Sequence, residues 1–167
     1  GNFNLVKSGA GTLFFGSPSL RSAGTNTLSA GTLKLGHPNA LGTNQVAVVL
    51  TLNGGTLDLA TDTTVTNHTT VVGGATTIQS DKATPNSDGI THILGPLTIN
   101  NTLGVAVGAN VNAGSPFGLT FGTTTLTGSP TFDVAANGTL TLGSTAGNYS
   151  LTKAGYGTLV FASPNAY

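Results

Sequence analysis

Five carboxylates and three imidazoles are all that a hydrolase or a metal centre could draw on in these 167 residues, because the chain has neither Glu nor Cys. The acids are Asp58, Asp62, Asp81, Asp88 and Asp133. Acid/base cleavage of a polysaccharide needs two carboxyls held at a fixed separation. Asp58 and Asp62 are close in sequence, and Asp81 and Asp88 share one segment, yet few bases accompany them. His37, His68 and His92 fall in different stretches, whereas a metal site needs convergent ligands; they read as surface or turn histidines. Asp81, Asn86 and Asp88 carry the oxygens that Ca²⁺ prefers, but their spacing is not that of an EF-hand, and a solvated loop is expected. The glycine-rich strings lack the Lys-Ser/Thr that cradles a phosphate. Without Cys there are no disulfides or thiolate sites. No catalytic, cofactor-binding or metal residue is therefore assigned, no cofactor is expected, and the chain reads as a non-enzyme.

Two aromatics stand apart. Phe14 points outward if Leu13 and Phe15 point inward, and Tyr156 lies where a corner is expected. An exposed Phe can stack on a glycan or meet a neighbouring fibre; cover by a flanking loop is the preferred reading of Phe14.

Composition narrows the class. Only 6% of residues are charged and the formal net charge is zero, against about 25% charged residues in an ordinary soluble domain. Such a chain has no electrostatic footprint for nucleic acid or an anionic membrane. No apolar run approaches the roughly 18 residues of a membrane-spanning helix. Hydrophobic residues make up 38% of the chain and are patterned, unlike those of a disordered segment. The Cys-free, Thr-rich composition suits a secreted bacterial surface protein, and the absence of an initial Met suggests an internal piece of something longer.

The elements that must carry these residues are short strands. Gly-Thr-Leu occurs five times, beginning at Gly11, Gly31, Gly55, Gly138 and Gly157. Alternating apolar pairs follow the same phrasing: Leu13/Phe15, Leu33/Leu35, Leu57/Leu59, Thr76/Ile78, Leu97/Ile99, Leu119/Phe121, Leu140/Leu142 and Leu159/Phe161. Their spacing of 19 to 24 residues is a solenoid period, too short for a propeller blade. It predicts an all-β parallel β-helix of about seven coils of ~21 residues, with inward side chains stacked at the ~4.8 Å strand spacing. Phe15, Leu35, Leu59, Ile78, Ile99, Phe121, Leu142 and Phe161 are expected in one buried column. Phe14, Lys34, Asp58, Thr77, Thr98, Thr120, Thr141 and Val160 should form an outward row. Further strands are expected at Val46 to Val48, Val105 to Val107, Phe132 to Val134, Phe3 to Leu5 and Tyr149 to Leu151. Gly9, Gly11, Gly155 and Gly157 are expected at corners of positive φ, and Asp81 to Gly89 as a projecting loop.

The beginning of the chain is written again near its end. LVKSGAGTLFFGSP (Leu5 to Pro18) and LTKAGYGTLVFASP (Leu151 to Pro164) share nine of fourteen positions, 146 residues apart. The stretch Leu5 to Gly42, with Gly9 to Leu13, Asn26-Thr27, Gly31 to Leu35 and Ala40 to Gly42, closely resembles the autotransporter-associated β-strand repeat of bacterial surface passengers. That resemblance implies a right-handed β-helix on a secreted surface protein, without catalytic residues. Residues 1–167 are then one β-helical module of a longer array, with 149–167 opening the next copy and an axial repeat near ~34 Å. The function expected is a structural fibre or stalk at the bacterial cell surface, extracellular. Further copies in cis and lateral or head-to-tail self-association are the expected partners. An adhesin contacting glycans through the 81–89 loop and exposed aromatics is the alternative.

Overall fold

The computed structural model describes residues 2–43, 47–65 and 68–167. Its strands, numbered in chain order, fall into three sheets, and no helix occurs among the described residues. Sheet 1 stacks β1 (Leu5–Lys7), β3 (Gly24–Leu28), β5 (Val48–Leu52), β7 (Thr69–Val72), β10 (Leu97–Ile99), β13 (Thr124–Leu126) and β16 (Thr145–Ala146). Sheet 2 stacks β2 (Thr12–Phe15), β4 (Thr32–Leu35), β6 (Thr56–Ala60), β8 (Thr76–Asp81), β11 (Leu103–Val107), β14 (Thr131–Val134) and β17 (Thr152–Ala154). Sheet 3 is shorter: β9 (Thr91–Ile93), β12 (Phe117–Phe121), β15 (Gly138–Leu142) and β18 (Thr158–Phe161). Every pairing within these sheets is parallel. The chain visits sheet 1, then sheet 2, then sheet 3 where it exists, and starts again: a parallel β-solenoid.

Local sequence explains the winding. In Thr-Leu-Lys-Leu of β4 the leucines are buried and Lys34 faces out; Leu33 lies between Leu13 and Leu57, as the alternation requires. Tight corners bring successive turns into contact. Gly31 has φ of 71°, and a Cβ there would lie 2.3 Å from the Gly9 carbonyl oxygen, so only glycine fits. Before sheet 3 begins, Leu41 and Val65 contribute buried side chains. The Thr64 hydroxyl accepts from the Ile93 N–H at 2.7 Å, laying its segment along β9.

The single buried column is corrected to three. Sheet 2 carries Phe15, Leu35 and Leu59 in one register, while Ile78 lies opposite Leu57. Ile99 belongs to sheet 1, and Phe121, Leu142 and Phe161 to sheet 3. The outward row divides likewise: Gln79, not Thr77, follows Asp58, and Thr98 and Thr120 lie in other sheets. The physical reason is unequal turns. In sheet 2 the register runs Thr12, Thr32, Thr56, Thr77, Gly104, Asp133, Ala154, and the steps from Thr77 to Gly104 and from Gly104 to Asp133 are the longest. A step of average length from Ile78 stops short of its true partner, Val105, and lands on Ile99 in sheet 1.

Local expectations are corrected too. Gly9 and Gly155 have positive φ, 75° and 71°, but Gly11 and Gly157 do not. No strand forms at Tyr149 to Leu151; pairing starts at Thr152, whose N–H donates to the Pro130 carbonyl. At the other end only Leu5 of Phe3 to Leu5 is in a strand. The strand expected at Val46 begins at Val48, Val46 itself lying outside the described residues.

Candidate functional site

The densest group of ionisable side chains lies on the outer face of sheet 2. Parallel register sets Phe14, Lys34, Asp58 and Gln79 side by side on β2, β4, β6 and β8. The Lys34 Nζ is 2.6 Å from Asp58 Oδ2 and 3.5 Å from Asp81 Oδ2. Asp81, at the end of β8, is fully buried, and its Oδ1 accepts the Asn110 N–H at 2.9 Å. The Asn110 amide donates to the Lys82 carbonyl at 2.6 Å. One ammonium thus joins three strands, and Asn110 ties them to the turn after β11.

Two carboxyls share one ammonium at this cluster. Burial pushes the Asp58 carboxyl up; the Lys34 ammonium opposes that and the neighbouring Asp81 carboxyl reinforces it. Burial also works against the Lys34 charge, but Asp58 and Asp81 more than restore it and raise its pKa. Asp58 Oδ1 is buried with no hydrogen-bond partner among the described residues. Buried acids are tolerated where an opposite charge and hydrogen bonds meet them, and here the Lys34 ammonium reaches both carboxyls while the Asn110 N–H meets Asp81. The oxygens face each other and the protein, so the cluster serves as a staple between turns.

The other sequence candidates disperse. Asp62 does not join Asp58: it accepts from the Thr84 hydroxyl at 2.7 Å and N–H at 3.2 Å, and lies 3.9 Å from Lys82 Nζ. The Thr84 bonds hold its carboxyl below the usual range. Asp81 is buried whereas Asn86 and Asp88 are exposed, so these three do not converge on a cation. Residues 82–86 are largely exposed, but Ser87 is pinned to the solenoid by main-chain bonds with Asn110 and Asn112. Among the described residues no three acidic or imidazole side chains are grouped as a metal set.

Sequence reasoning misplaced two histidines. His37 caps a turn, its Nδ1 accepting the Asn39 N–H. His68 and His92 instead lie in the core, 3% and 0% exposed. His92 occupies an inward position opposite Leu119, and its Nε2–H donates to the Asp81 carbonyl at 3.0 Å. His68 lines a small space with Leu41, Val65 and Leu94. Its ring nitrogens face main-chain groups of Gly42 and Val48 outside good hydrogen-bonding geometry. Burial lowers the pKa of both imidazoles. Nothing in the sequence around them signals burial; only the register does.

Aromatic exposure differs from expectation as well. Phe14 is not covered by a loop: it is 57% exposed, its ring resting where a Cβ on Gly16 or Gly36 would stand. Tyr156, at the corner between β17 and β18, is 96% exposed. An open groove of about 420 Å³ lies beside the first turn, lined by Phe3, Leu5, Phe15, Pro18 and Arg21 among others. Compared with protein-family models, with curated proteins and with solved structures, the chain matches none.

Proposed function

We propose that this chain is a structural segment of a fibre or stalk on a secreted bacterial surface protein, a length of rigid solenoid without catalytic work of its own. One observation carries the reading: every turn presents strands that pair in parallel with the next, and the phrase of the first turn is written again in the last. An outermost strand pair with open hydrogen-bonding groups accepts further strands, and a recurring phrase supplies them. Further copies in cis are the natural partners, and near-neutral, hydroxyl-rich faces allow rods to lie side by side. The likeness of Leu5 to Gly42 to autotransporter-associated repeats supports an extracellular location. Electron microscopy of chains with two and four copies of the repeat, Leu5 to Ser150, tests the reading. Rods that lengthen by a constant increment per copy are expected; compact particles, or no lengthening, overturn it.

Exposure of Phe14 and Tyr156 favours a second reading, an adhesin whose rings stack on sugars. Binding to a glycan panel that disappears in Phe14→Ala or Tyr156→Ala chains would establish it in place of a purely structural role.

A further inference from the structure

The two copies of the phrase do not lie on the same sides of the solenoid. In the first copy its strands are β1 in sheet 1 and β2 in sheet 2; in the second they are β17 in sheet 2 and β18 in sheet 3. The corner between them is nonetheless built alike. Gly9 and Gly155 have nearly equal φ. The Lys7 ammonium donates to the Ser8 and Gly9 carbonyls, and that of Lys153 to the Ala154 and Gly155 carbonyls. The register counts the offset: Thr12 reaches Ala154 in six turns. Thr158, the counterpart of Thr12, lies beyond Ala154, in the next sheet. From one copy of the phrase to the other, the chain makes six turns and one side.

The second copy also displays what the first lacks. Its underside is covered: Lys153 lies against Phe132, Leu159 against Leu140 and Phe161 against Leu142. The Thr152 N–H donates to Pro130 O and the Ala162 N–H to Leu142 O. In the first copy β1 and β2 are the outermost strands of their sheets, with no strand beneath them among the described residues; Leu13 and Phe15 are half-buried, as are their counterparts Leu159 and Phe161, which have no strand above them. The apolar groove lined by Phe3, Leu5, Phe15 and Pro18 opens beside them. Within one chain, the same phrase is seen with and without its supporting turn.

We infer that the phrase is the joint of the array: the underside of β1 and β2 is a docking surface for a second copy of Thr131 to Leu142, and each joint turns the next repeat by one side of the solenoid. This rests on the array reading and makes it specific. Six and one-third turns at the strand spacing give about 30 Å per repeat, shorter than seven whole coils. The phrase returns to its starting sheet after three repeats, 19 turns or about 91 Å. Features such as the exposed Phe14 then wind around the rod instead of lining one side.

The joint can be completed by placing a second copy of residues 128–148 directly before Phe3, copying the natural passage from Asn148 into Tyr149. The amides of Val6 and Gly16, counterparts of Thr152 and Ala162, should then exchange with solvent at least about ten-fold more slowly. The same extension with Leu→Asp at the positions copied from Leu140 and Leu142 should leave them unprotected. Val6 and Gly16 exchanging equally with and without the extension overturns the joint. Lengthening of multi-repeat rods by about 30 Å per copy supports the turn, and about 34 Å overturns it while leaving the array intact. Failure to form rods overturns the array itself.

Discussion

The Lys34 ammonium and the Asp58 carboxylate meet at 2.6 Å across β4 and β6, and Asp81 approaches the same ammonium from β8. Removing the cation strands two buried acids, and the cost of an unpaired buried charge exceeds the worth of the pair. Lys34 is partly solvent-exposed, which moderates the effect. Lys34→Met should lower stability by about 1–3 kcal/mol at neutral pH. Most of the loss should return in Lys34→Met/Asp58→Asn, because the remaining acid is then single. Urea denaturation of the single and double variants measures this; equal stabilities would show that the cluster is solvated.

Ile99, fully buried, lies between Val72 and Leu126 on sheet 1. Ile99→Ala should cost about 2–5 kcal/mol, the range for opening a cavity in a packed core. Because Ile99 and Ile78 stand in different sheets, the sheet 1 neighbours Val72 and Leu126 should loosen before Leu57 and Val105 do. Hydrogen exchange read residue by residue distinguishes these. A change within about 0.5 kcal/mol, the range of surface substitutions, would exclude Ile99 from the packed interior.

That contrast marks how far the sequence could be read. Alternation specified the parallel stacking and the inward pairs of the strands it marked, because a strand's two-residue period is local, but it leaves β3, β7 and β13 unmarked, with inward Leu28, Val72 and Leu126. It located the Leu13–Leu33–Leu57 stack, where the turns are short and close to the average step. It lost register after Ile78, where the turn to Val105 is longer, since corner lengths leave no periodic trace. The Asp58–Asp81 pairing is hidden for the same reason: the sequence pattern assigns Asp81 to a projecting loop, yet it completes β8. Burial of His68 and His92 likewise follows from which side of a turn each occupies, and an imidazole at an inward position looks like any other polar residue.

Acid should weaken the fold through these two imidazoles. Burial is the chief cause that lowers both pKa values from the ordinary 6.5. The sign follows: the folded chain keeps them neutral, while the unfolded chain protonates them as pH drops through about 6.5. Their contribution is complete above that value and is lost as pH falls below it, at up to about 1.4 kcal/mol per pH unit for each proton taken up. Arg21 discourages a charge on His68, whereas Asp81 lies beside His92 and partly tolerates one. The raised Asp58 carboxyl acts in the opposite sense, holding stability at low pH and losing it as pH rises. Melting temperatures between pH 7.5 and 5 should therefore fall, and His68→Leu/His92→Leu should flatten the slope. An unchanged slope in the double variant would mean that other groups take up the protons.

Lys7 is the most unusual inward residue, because its position in sheet 1 is taken by Leu28 in the next turn. It is 8% exposed, and its ammonium donates to the Ser8, Gly9 and Ala30 carbonyls at 3.0, 2.7 and 3.0 Å. The third of these belongs to the following turn, so one cation ties two corners together. Lys7→Met keeps most of the apolar stem but leaves three carbonyls without their donor, a loss of about 1–3 kcal/mol. Among the described residues Lys153 donates only to the carbonyls of its own corner, Ala154 and Gly155, so Lys153→Met should cost less. Hydrogen exchange at both corners, with denaturation of each variant, checks the order. If Lys153→Met proved the more harmful, the bond to Ala30 would not be the contact that sets the cost.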